Sequence, residues 1–190
     1  MPIGDVNLGR VSSTDAGGPA GPDPLLSIRP VAEDEWTIVA WLWQAFRHDL
    51  APIVHGLPYA DGRYQAALLD RFPSPDGAGY LAWRPHPNTG ADAPVGFALI
   101  EGLTGARRSV AGFWVAPAVR GAGVGRELAI EALGRHDGPW SIGFQHDNVG
   151  AGRFWRQVAD SVFGPGRWAE EQRPVPGRPQ APPDHFIESR

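Results

Sequence analysis

The joint Val115-Ala116-Pro117-Ala118-Val119-Arg120-Gly121-Ala122-Gly123-Val124-Gly125-Arg126 constrains this chain more than any other segment. The run before it, Arg107 to Val115, carries the valines and aromatics of a strand. After it, Val124, Leu128, Ala132 and Leu133 recur at helical spacing. Glycines at 121, 123 and 125 let the backbone approach a ligand and gather successive N–H groups into one concavity. A helix starting here adds the positive end of its dipole, with Arg120 and Arg126 as flanking counterions. A Gly-rich turn also joins strand to helix without any ligand. Two phosphate motifs are excluded: the spacing is G-x-G-x-G, not the dinucleotide G-x-G-x-x-G, and the Walker loop needs a lysine, which this chain lacks.

Around this joint the pattern reads as one mixed α/β domain over 25–190, preceded by a flexible leader over 1–24 that is rich in Gly, Pro, Ser and Asp. Leu26 to Pro30 alternates as a first strand. Trp36, Val39, Ala40, Trp43 and Phe46 predict an amphipathic helix ending near Leu50, with Glu33 and Asp34 at its start, and Gly62 to Phe72 predicts a second. Strands follow at Gly79 to Arg84, Val95 to Glu101 and Arg107 to Val115, as an antiparallel meander. After the 124–133 helix come a strand at Trp140 to Gln145, a helix from about Gly150 to Val158, and a last strand at Asp184 to Glu188.

Composition narrows the chemistry. With no cysteine, disulfides, thiolate nucleophiles and Cys-based zinc sites are excluded together, and the six dispersed histidines offer no H-x-x-x-H spacing, so no metal is expected. The missing lysine removes Schiff-base catalysis. A net charge of −4 argues against a nonspecific nucleic-acid binder. No run approaches the ~20 apolar residues of a membrane helix, and no secretion signal opens the chain. A soluble, cytoplasmic protein is expected.

The segment Arg120-Gly121-Ala122-Gly123-Val124-Gly125, placed after Phe113-Trp114-Val115, resembles the Q/R-x-x-G-x-G/A signature of the GNAT (GCN5-related N-acetyltransferase) superfamily. Further on, Asn148-Val149-Gly150-Ala151-Gly152-Arg153-Phe154-Trp155 resembles the family's N-x-x-A-x-x-F/L-Y. The stretches Phe46 to Leu50 and Pro182-Pro183-Asp184 are also similar to a group of uncharacterised bacterial predicted acetyltransferases. The resemblance implies a GNAT-like fold, a mostly antiparallel sheet of six to seven strands flanked by about four helices. It implies acetyl-CoA as the acyl donor, with the pyrophosphate on Arg120, Gly121, Ala122, Gly123, Val124, Gly125 and Arg126. The pantetheine arm would lie along Phe113, Trp114 and Val115, with Asn148, Phe154 and Trp155 nearby. A homodimer is open, since dimers are common in the family.

The implied reaction is direct acetyl transfer to a primary amine of a small molecule, a biosynthetic intermediate or antibiotic-like compound, in a ternary complex. An alkyl amine is neutral only about once in a thousand at pH 7, so a base is needed. The glutamate that many relatives carry on the strand before the loop is missing from Val110-Ala111-Gly112-Phe113-Trp114. Glu101, His146 and Asp147 are the candidate substitutes. Arg47, His48 and Asp49 are candidates for acceptor recognition, and Trp36, Trp41, Trp43, Tyr59 and Tyr64 for an aromatic wall or for core. Trp155 stands where relatives place a thiolate-protonating tyrosine, and its indole has no useful acidity. A degenerate acyl-CoA-binding module, or a donor such as aminoacyl-tRNA or acyl carrier protein, is therefore the alternative.

Overall fold

The computed structural model describes residues 23–190, so nearly all of the expected leader lies outside the described residues. Its penultimate residue, Asp23, gives its backbone N–H to Glu127 (3.1 Å) and pairs with Arg84 (3.1 Å).

Seven strands form one sheet: β1 (Ser27–Pro30), β2 (Gly77–Pro85), β3 (Asp92–Glu101), β4 (Arg108–Val115), β5 (Trp140–Phe144), β6 (Trp168–Arg173) and β7 (Asp184–Ser189). Their spatial order is β1-β2-β3-β4-β5-β7-β6, and every pair is antiparallel except β4 with β5. Among the described residues three α-helices cover it: α1 (Trp36–Val54), α2 (Val124–Gly134) and α3 (Val149–Val162). Side-chain alternation along β3 divides the core. Phe97 and Leu99 point to α1, where they meet Val39, Trp43, Leu81 and Trp114. Ala98 and Ile100 point the other way, to Val124, Leu128, Trp140, Trp155 and Val158 under α2 and α3.

The expected helix over Gly62 to Phe72 is a correction: only a 3₁₀ turn, Ala67–Arg71, forms there. Side chains of α1 take the backbone groups that a helix would need. Gln44 receives the Tyr64 N–H (2.6 Å) and donates to the Tyr64 carbonyl (3.2 Å), while the Trp43 indole donates to the Gln65 carbonyl (2.9 Å). Among the described residues the sheet thus has three α-helical neighbours. β6 has no counterpart in the sequence reading. It is an edge strand, Trp168-Ala169-Glu170-Glu171-Gln172-Arg173, whose charges keep its free edge from pairing and hide the alternation. α1 also runs past Leu50 to Val54, with Pro52 inside its last turn.

One irregularity positions everything that follows. β3 pairs Leu99 with Gly112 and Ile100 with Val110, so Ala111 is an extra residue that bulges β4. A bulge bends its strand. Pairing between β4 and β5 is confined to Arg108 with Trp140 and Ser109 with Ser141. From Val110 onward the two strands part, leaving the outer backbone edge of β4 without a strand partner among the described residues.

α2 ends against β2 through Tyr80, whose hydroxyl lies 2.7 Å from His136 Nε2. Burial, then the nearby Arg108 and Arg135, hold the His136 imidazole below its ordinary pKa. The ring is therefore neutral at neutral pH and forms one hydrogen bond with the Tyr80 hydroxyl. The unfolded chain begins to protonate the imidazole near pH ~6.5 while the folded chain does not, so stability falls as pH drops through that point and levels off below the folded value. We expect wild type to lose more Tm between pH 7.5 and 5 than His136→Gln, a difference read from parallel melting curves.

Candidate active site

Where β4 leaves β5, a cavity of about 720 Å³ opens between the last turns of α1, the end of β4, and the starts of α2 and α3. Each wall follows from local sequence. The α1 wall is Phe46, Asp49, Leu50 and Ile53, one face at i, i+3, i+4, i+7 spacing. On the β4 side Phe113, Trp114 and Val115 contribute, with Phe113 packed on Phe154 (5.3 Å) and on Trp155 (5.0 Å) of α3.

The loop into α2 forms the third wall. Gly121 (φ 80°) and Gly123 (φ 88°) adopt left-handed backbone, and Gly123 is the N-cap of α2 with no side-chain cap. The first turn of a helix has no internal partners for its N–H groups. Gly123, Gly125 and Arg126 line the cavity, so the helix presents those donors and its positive end to it. Gly125 does not need positive φ, and a Cβ there would lie in ordinary contact, 3.5 Å from Phe154 and Val115.

Asp49 crosses the cavity mouth. Its carboxylate accepts from the Trp114 indole N–H (2.9 Å) and pairs with Arg120, whose Nε also donates to the Val115 carbonyl (2.8 Å). Burial pushes the Asp49 pKa up, but the bonds from Trp114 and Arg120 outweigh it and hold the carboxyl below the usual carboxylate range. Asp49 is therefore ionised at neutral pH and acts as an acceptor that ties α1 to β4 and the loop.

The remaining sequence candidates divide clearly. Phe113, Trp114, Val115, Arg120, Gly121, Gly123, Gly125, Arg126, Asn148, Phe154 and Trp155 all line the cavity. Ala122 is exposed outside the lining, and Val124 is fully buried under α2. Of the acceptor trio only Asp49 faces the cavity. His48 sits edge-on to Tyr64 on the outer side of α1, and Arg47 is half-buried with its Nε unpartnered. Glu101 belongs to the other end of the sheet: it pairs with Ser109, about 20 Å along β4 from Val115. There Arg71 (2.8 Å) and the Ser109 hydroxyl (3.2 Å) engage it. His146 and Asp147 lie in the turn after β5, exposed and outside the lining, with His146 Nδ1 3.0 Å from His185 Nε2. Trp36 and Trp43 are core, whereas Trp41 and Tyr59 border a separate groove on the outer face of α1. Sequence reasoning missed Phe46, Leu50, Ile53, Gly150, Ala151 and Gln157, although the apolar stripe of α1 was there to extend past Leu50.

Among the described residues, no group of three His, Asp or Glu side chains is placed to hold a metal ion, and no helix is long and apolar enough to cross a membrane.

Comparison with known proteins follows the same lines. A search of curated proteins by sequence gives no match. Among solved structures, Arabidopsis thaliana NAA60 in complex with acetyl-CoA superposes with TM-score 0.59 at 13% identity, covering 86% of this chain and 98% of that one. A spermidine N-acetyltransferase SpeG chimera from Vibrio cholerae and hSSAT gives 0.56 at 11%, over 87% and 95%. The ribosomal-protein-S18-alanine N-acetyltransferase from Escherichia coli gives 0.51 at 11%, over 86% and 91%. Identities this low carry the fold alone. The sequence itself matches the acetyltransferase (GNAT) family model over residues 36–159, from α1 through most of α3. The chain belongs to the acetyltransferase (GNAT) family.

Proposed function

We propose that the chain transfers an acetyl group from acetyl-CoA to a primary amine of a small molecule, directly and without a covalent enzyme intermediate. The observation that carries this reading is the uncapped start of α2, with left-handed Gly121 and Gly123, opening onto the unpaired edge of β4 in one cavity. A pyrophosphate is the anion suited to the first, and the amide-bearing pantetheine arm is an extended chain suited to the second. Arg126 flanks the cradle. Arg120 is shared with Asp49, so its contribution to a bound phosphate competes with that ion pair. A structurally similar protein in complex with acetyl-CoA, and two others named for spermidine and for the alanine of a ribosomal protein, support an amine acceptor in general.

The described lining offers no group poised to take a proton near neutrality. Asp49 is its only carboxylate and no imidazole reaches it. Trp155 carries an indole N–H but cannot protonate a departing thiolate. The amine therefore sheds its proton to water before attack, and the pH–rate profile follows the acceptor. We expect log kcat/KM to climb with slope ~1 to about pH 10 for an alkyl amine and to level off near pH ~8 for an α-amine. A plateau near pH ~6.5 for both would mark a protein base instead.

The test is thiol release from acetyl-CoA in the presence of polyamines, amino acids, aminoglycoside-like amines and short peptides. Turnover with any of them supports the enzyme. Tight CoA binding without release against the whole panel would replace it with an acyl-CoA-binding module.

A further inference from the structure

On the side of α3 away from the cavity, four side chains join the outer hairpin to the turn that starts the helix. Arg156 of α3 binds Glu170 of β6 through two bonds, of 2.7 and 2.8 Å. Glu170 Oε1 lies 2.6 Å from His185 Nδ1 on β7, and His185 Nε2 lies 3.0 Å from His146 Nδ1. The His185 ring stacks on Phe144 (5.2 Å, 10°) and meets His146 edge to edge, with centroids 5.2 Å apart and 26° between the planes.

These contacts decide the tautomers. The Arg156 guanidinium first, against burial and aided by His185, holds the Glu170 carboxyl below its ordinary range. As an ionised acceptor it takes the His185 Nδ1–H, which leaves His185 Nε2 bare to accept the Nδ1–H of His146. His146 is a central residue of a turn closed by Asn148 N–H to the Gln145 carbonyl (3.0 Å). Asn148 in turn caps α3, accepting from the Ala151 N–H (3.1 Å), and Asn148, Gly150 and Ala151 line the cavity. A hold on His146 is thus a hold on that wall.

We propose that His185 is a positioning residue of the cavity: fixed by Glu170, it anchors His146 and the Gln145–Asn148 turn. Asp184, preceding His185, and Asp147, following His146, are the other charges beside the pair. Arg173 pairs with both Glu171 and Glu188 on the opposite face of the hairpin. The inference rests on the reading that this cavity takes CoA.

The experiment has two arms. In ligand-free protein at pH 8, ring ¹⁵N shifts report tautomers, and both His146 and His185 are expected as Nδ1–H forms; an Nε2–H form of His185 overturns the inference. In the second arm, CoA affinity is measured calorimetrically at pH 8 for wild type, His146→Ala and His185→Phe, the last keeping the stack on Phe144. Each variant is expected to bind about fivefold more weakly than wild type. At pH 8 His185→Phe should raise the KM for acetyl-CoA about fivefold with kcat within about twofold. Wild-type affinity in both variants overturns the inference. Absence of CoA binding by wild type overturns the cavity reading instead, and the tautomer arm still decides the anchor.

Discussion

Gly123→Val lowers CoA affinity at least a hundredfold while leaving a folded protein. The reason is conformational. At φ 88° Gly123 caps α2, and a β-branched residue resists that region of backbone by about 1–3 kcal/mol. No collision is involved, since a Cβ at this position meets only Glu127 Oε1, at 3.8 Å. The valine relieves its strain by rotating the loop, and the rotation takes the first-turn N–H groups out of the concavity while its branches occupy the space an anion needs. Gly125→Ala is the matched control. Its φ is not left-handed, and its added methyl falls at 3.5 Å from Phe154 and Val115, ordinary contact. Calorimetric affinities together with denaturation midpoints separate the two effects. Equal affinity in wild type and Gly123→Val would remove the loop from the site.

Trp155→Ala costs about 3–5 kcal/mol of stability, the range for deleting a large buried aromatic. Its side chain is 5% exposed and packs on Phe113 and Phe154 at ring distances of 5.0 and 4.9 Å. The same three rings form the cavity floor between β4 and α3, so the substitution also opens the wall on which a thioester would rest. For a domain of this size a lower melting temperature by roughly 10 °C follows. Trp155→Phe should recover most of the stability, because it restores the ring stack though not the indole N–H. A denaturant midpoint that falls at unchanged slope checks the first claim, and a loss below about 1 kcal/mol would contradict it.

Both positions were legible in the sequence, and it is instructive why others were not. The cradle could be read because its physics is local: a strand, three glycines and a helix start are consecutive in the chain. The sheet alternation of β2 to β4 was readable for the same reason. The helix expected over Gly62 to Phe72 failed because Trp43 and Gln44, about 20 residues earlier, claim its backbone groups, a non-local competition that propensity does not express. β6 escaped notice because an edge strand can carry charge on both faces. Among catalytic candidates, Glu101 was placed by its strand but not by direction: antiparallel pairing sends it to the end of β4 remote from the loop. Asp49 shows the converse. A solvated helix-end carboxylate in sequence terms, it bonds Trp114 and Arg120, 65 and 71 residues away.

The most direct measurement is calorimetric titration of the purified protein with acetyl-CoA and CoA, with ATP as a nucleotide control. Binding of both CoA species, at least tenfold tighter than ATP and lost in Gly123→Val, is the predicted result. A folded protein that binds neither, or that binds ATP as well as CoA, would contradict the assignment of the α2 loop and the β4 edge as an acyl-CoA site.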